Sequence, residues 1–221
     1  MNLPTSMLPD GLLLAALALY LPLMLWTLAR APWRLLAQNL LVPVYLGALV
    51  LLAGLWSMQI GAAHGPGLHF LGLSAMVLVF GPELALAAGM LVLLGLGVSG
   101  VHELVALGVN GLIGAVLPVA LATRLHALVY RFFPKHYFVY VLISAHFASM
   151  VVIAVVMVTG TLVLTLAGGA NLATLAGNYL VFLPIVMLPE GFLNGAIMAM
   201  LTAWKPEWVR SFDDRDYIDG K

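Results

Sequence analysis

The chain has 221 residues, enough for one domain, and nine basic side chains balance nine acidic ones. Apolar residues make up 63% of it and charged residues 8%, against about 45–50% and 25% in soluble proteins, so an integral membrane protein is expected. Zero net charge suggests no nucleic-acid partner, and the absence of cysteine rules out disulfides, thiolate zinc sites and iron–sulfur clusters.

The first ten residues lack a positive stretch, and the apolar run after Asp10 is long enough to span, so no cleavable signal peptide is expected. A helical crossing takes about 20 mostly apolar residues. Taken in order, the candidate spans are residues 11–29, 40–60, 68–80, 83–98, 101–122, 137–166 and 177–204. The third is short for a crossing and breaks at Gly81-Pro82, where proline disrupts a continuing helix. Glu83, just after the break, suits a helix start.

Loop charges set an orientation. Arg30 and Arg34 lie between spans one and two, and Arg124, Arg131 and Lys135 between five and six. Lys205, Arg210, Arg215 and Lys221 follow span seven, whereas the turns at 61–67, 99–100 and 168–176 carry no lysine or arginine. This predicts an all-α polytopic protein of about seven transmembrane helices, N-terminus outside and C-terminus cytoplasmic. Residues 1–204 form the transmembrane domain, and 205–221 a short cytoplasmic tail that reads as solvated. Gly108-x-x-Gly111-x-x-Gly114 and Gly191-x-x-x-Gly195 predict close helix packing. Gly95-Leu-Gly97-Val-Ser-Gly100 matches a dinucleotide fingerprint in letters only. It closes one span and opens another, without the strand–helix unit that binding requires.

His64, His69, His102 and Glu103 fall at span ends that this topology puts on the outer side, with Met7 and Asp10 as further candidates. Imidazole and carboxylate together suit zinc, copper, nickel or cobalt. His64 and His69 flank a Gly65-Pro66-Gly67 turn that can bring both rings to one ion. The competing reading is interfacial histidines facing water. It is the weaker one for His69 and equally good for His64 and His102. Deeper in the bilayer, Glu190 shares a helical face with Met187, Asn194 and Met198. A carboxylate at that depth costs about 2.5–3.5 kcal/mol on insertion scales and needs an interior partner or a role. Asn194, Asn110 and His146 are the candidates for a shared intramembrane polar network, as an ion path or, alternatively, a helix-holding contact.

At these residues the chain resembles the CbiM-type permeases, the substrate-binding membrane subunits of cobalt and nickel energy-coupling-factor transporters. Met7-Leu-Pro-Asp-Gly-Leu-Leu13 is similar to their N-terminal His-Ile-Pro-Asp-Gly-Phe-Leu, and Gly67-Leu-His69-Phe-Leu-Gly72 to a Gly-His-Leu-Leu-Gly segment whose histidine binds metal. Gly81-Pro82, Gly108-Val-Asn110-Gly-Leu-Ile-Gly114 and Pro189-Glu190-Gly191 follow in the family's order. The resemblance implies a bacterial inner-membrane permease with an outward-facing metal site, driven by separate ATPase and coupling subunits. Only His69 carries over as a ligand. Met7 stands where the family has its first histidine, so the amine-based site does not transfer, and His64, His102 and Glu103 are expected to rebuild one from side chains. Transport is favoured over the alternatives, a membrane metalloenzyme with Glu103 or Glu190 moving protons, or a metal sensor or chaperone.

Overall fold

Within a bilayer the backbone has no water to bond, and a helix satisfies its N–H and C=O groups internally. The computed structural model describes residues 2–38, 40–59 and 65–218. Among these every regular element is helical, and one isolated antiparallel β-bridge joins Asn2 to Gly67. Helix α1 (Asp10–Arg30) is followed across Ala31-Pro32 by α2 (Trp33–Gln38). Then come α3 (Val42–Ser57), α4 (Leu73–Phe80) and α5 (Pro82–Val98). Long runs form α6 (Leu104–Phe132) and α7 (Tyr137–Leu166). The chain ends with α8 (Leu172–Asn178), α9 (Leu183–Trp204) and a short α10 (Asp214–Tyr217).

Four stretches are long and apolar enough to cross a membrane unaided: Asp10–Gln38, Leu104–Phe132, Tyr137–Leu166 and Leu172–Trp204. Helices α3 and α5 are apolar but shorter. The expected third span at 68–80 is only partly helical. Eight residues rise about 12 Å, well under a hydrocarbon core of about 30 Å. Glycines with positive φ bound α4 on both sides, Gly72 at 66° and Gly81 at 88°, a conformation that side chains with a Cβ rarely adopt.

All eight residues of α4 are buried, packed against α5, α6 and α9. Both of its ends therefore need partners from protein. At the start, Glu190 and Asn194 of α9 accept from the amides of Leu71, Gly72 and Ala75 at 2.8–2.9 Å. At the finish, the chain beyond α9 supplies donors. Ser211 gives its N–H and hydroxyl to the Leu78 carbonyl, and the Arg210 N–H bonds Val79 at 3.0 Å. The Arg210 guanidinium reaches the Phe80 carbonyl and fills the space a Cβ on Gly81 would need. The tail is thus not a free solvated end. Val209, Phe212 and Tyr217 are buried, Phe212 and Tyr217 stack at 5.2 Å, and Tyr140 bonds Ser211 at 2.7 Å.

The small-residue spacings sit at tight crossings. A Cβ at Gly108 would meet the backbone of Ala16 and Leu17, and one at Gly111 the ring of Tyr20. Gly191 and Gly195 lie against His146 and Met150 of α7. Helix α6 contains a π turn at Leu112–Val116, just before Pro118, which has no N–H to give the ladder.

Candidate metal centre

The N-terminal segment folds back into the bundle instead of leading simply into α1. Pro4 holds it extended, with φ −74° and ψ 145°. Asn2 and Gly67 exchange backbone bonds of 3.0 and 2.8 Å, and Leu3 is fully buried. Asn110 clasps the segment from α6. Its Oδ1 accepts from the Leu3 amide, and its Nδ2 donates to Asn2 Oδ1, both at 2.7 Å. Glu103 Oε2 accepts from the Thr5 amide at 2.7 Å. Glu103, expected as a metal ligand, and Asn110, expected in the intramembrane network, are thus both engaged in holding residues 2–5.

Beneath this segment lie two buried imidazoles, His69 at 5% exposure and His102 at 6%. His69 follows the bridge at Gly67 by two residues. Its Nδ1 lies 3.0 Å from the Phe70 carbonyl. A carbonyl only accepts, so in the neutral ring the proton is on Nδ1 and Nε2 carries the lone pair that a metal takes. The fully buried Trp56 ring packs 5.2 Å from His69 and fixes the loop through an indole bond of 3.0 Å to Leu71.

His102 sits in the turn after α5, its ring 6.3 Å from that of His69. Its Nε2 lies 3.2 Å from the Trp56 carbonyl and 2.6 Å from the Gln59 side-chain amide. The carbonyl takes an Nε2–H, whereas the Gln59 Nε2–H takes a lone pair at the same atom, so the ring's tautomer decides which of the two it answers. Nδ1 of His102 is buried, without a partner among the described residues. Burial pulls the His102 pKa below the usual imidazole value, opposed in part by the Trp56 bond, which keeps the ring in the neutral form that metals bind. Gln59 also lies 3.5 Å from the Asn2 side-chain amide, closing the ring of contacts.

Among the described residues no three His, Cys, Asp or Glu side chains group around one point. Glu103 faces Thr5, and His64 lies outside the described residues. Asp10 opens α1 as its first-turn acid, and the Met7 carbonyl packs on Gly169. The pair Glu190 and Asn194 is directly bonded at 2.8 Å, but it serves the start of α4. Asn110 belongs to the N-terminal clasp, and His146 packs on the Gly191–Gly195 face of α9. The expected four-membered network is therefore three separate contacts among the described residues. Reading the sequence missed Asn2, Trp56 and Gln59. The available signal for Asn2 was Asn2-Leu-Pro4, which repeats the Leu-Pro pair read instead at Met7-Leu-Pro9.

A bundle of apolar helices around a buried half-helix, with an imidazole pair under a folded-back segment, defines a multi-pass membrane protein with a small polar site at one end. The sequence matches the family CbiM, the cobalt uptake substrate-specific transmembrane region, over residues 2–208. The chain belongs to that family and is a membrane component of cobalt uptake. No curated protein matches it.

Proposed function

We propose that this chain is the ion-capturing subunit of a bacterial inner-membrane transporter for cobalt or nickel, with His69 and His102 as its protein ligands. The supporting observation is two buried imidazoles 6.3 Å apart, one of them with an unmatched Nδ1. That separation lies within the span of two rings around one ion at metal–nitrogen bonds of about 2.1 Å. The rings face each other at 28°, so one must turn for both to bind. A set of nitrogen donors with the Gln59 and Trp56 oxygens nearby suits late first-row divalent ions and disfavours magnesium and calcium, which take all-oxygen shells. By the positive-inside rule the clustering of lysine and arginine at the opposite end supports a histidine end outside and a tail in the cytoplasm, where ATPase and coupling subunits would engage.

The test is isothermal titration and elemental analysis of the purified protein with cobalt and nickel. His69→Ala is expected to abolish stoichiometric uptake and His102→Ala to weaken it. Unchanged stoichiometry and affinity in His69→Ala would falsify the assignment. Reporter fusions at Ala170 and Lys221 are expected to report opposite compartments.

A further inference from the structure

A cavity of about 280 Å³ opens between α1, the start of α5 and α6 at the end of the bundle where the basic residues cluster. Arg30 and Arg124 line it from facing helices, with Thr27, Trp26 and Glu83, and its wall is apolar at Leu86 and Val119. Among the described residues neither arginine meets a carboxylate. The one acid in the cavity, Glu83, pairs instead with Arg210 at 3.6 Å. Thr27 is only 3% exposed, and its hydroxyl has no partner among the described residues, not even a carbonyl of its own helix. The cavity also receives the first turn of α5, whose unbonded amides add positive potential.

We infer that this cavity binds an anionic phospholipid, its phosphate held by Arg30, Arg124 and the Thr27 hydroxyl and its glycerol and upper acyl chain against Leu86 and Val119. Three features select a lipid over an acidic partner segment. Two uncompensated cations converge on one crevice. The crevice becomes apolar away from them. Trp26, 57% exposed with the Arg30 guanidinium 5.9 Å from its ring, is the interfacial side chain that marks headgroup depth. Basic pockets between transmembrane helices on the cytoplasmic side are a known way to hold such headgroups. The site is remote from the imidazoles and independent of what they bind.

The experiment is native mass spectrometry and thermal shift of the full-length protein with defined lipids. Phosphatidylglycerol is expected to bind about 25-fold more tightly than phosphatidylcholine, taking about fivefold for each arginine. Arg30→Gln/Arg124→Gln should bring that ratio close to one, while Lys205→Gln/Arg215→Gln leaves it intact. Ala120→Phe, which keeps every charge but fills the cavity, should lower phosphatidylglycerol binding at least as much. The lipid-free thermal unfolding midpoint serves as the check that each variant is folded. Four results would overturn the inference: equal binding of the two lipids to the wild-type protein, an equal loss in the Lys205/Arg215 variant, full displacement of the lipid by millimolar inorganic phosphate, or indifference to Ala120→Phe. A cavity that rejects lipid and cross-links through position 124 to a co-purifying subunit would make it a protein interface instead.

Discussion

The two ends of α4 solve one problem with different materials. The start is satisfied by side chains, a carboxylate and an amide one turn apart on α9. The finish is satisfied mostly by backbone N–H groups and a hydroxyl from the tail. The first of the amides held at the start, that of Leu71, lies two residues from His69, and the finish lies at the basic end of the bundle. A carboxylate at a helix start adds charge–dipole attraction to its hydrogen bonds, so it can hold a ligand-bearing loop firmly. A strap of backbone is weaker at each bond but leaves room to disengage. The start of α4 is therefore expected to govern both stability and the metal site, and the finish stability alone.

The harshest way to break this comparison is Glu190→Leu, which leaves the Leu71 and Gly72 amides buried and unmatched. At about 1–3 kcal/mol for each lost partner, a loss near 4 kcal/mol is expected in thermal or denaturant unfolding. Glu190→Gln keeps one acceptor oxygen and should lose about half of that. If Glu190→Leu folds with wild-type stability, the capping account of this residue is wrong. Next comes His69→Ala, expected to lower cobalt affinity by about 100-fold or more, on the scale of disrupting ligands and their supports, with little change in melting temperature. Ser211→Ala removes the hydroxyl bond to Leu78 at the other end. It should cost about 1 kcal/mol and leave cobalt affinity untouched. A fall in affinity there would mean that α4 transmits strain from tail to site.

The smallest effect expected is on pH. The folded protein holds His102 below its usual pKa, so its contribution to stability and binding is intact above the free value near 6.5. It is lost as the pH falls below that value and the ring takes up a proton. Cobalt titrations between pH 8 and 7 should superimpose, with affinity dropping only in more acidic solution. A drop already complete at pH 7 would show that His102 is not held neutral.

Much of the architecture was legible because a bilayer makes long apolar runs mean helices, and α6, α7 and α9 fall where those runs lie. The third segment was read too long. Hydropathy cannot distinguish the helical Leu73–Phe80 from the irregular but equally buried Leu68 and Leu71 before it. The Gly-rich setting drew attention to His69, which is buried with its ring 6.3 Å from that of His102. The role of Glu190 was not legible, because its partners are backbone amides, and every residue but proline supplies one. Gln59 and Asn2 escaped for a related reason. They are neutral, and they meet through a pairing of residues 2 and 67 that no local pattern announces.

The π turn at Leu112–Val116 sets a phase between the two halves of α6. It acts as one inserted residue, so the half bearing Asn110 is rotated by about 100° from where an unbroken α-helix would place it. Deleting Gly114 would take out that extra residue and restore an even ladder while swinging Asn110 away from Leu3. The length of this helix, counted to a single residue, decides whether the beginning of the chain finds its seat.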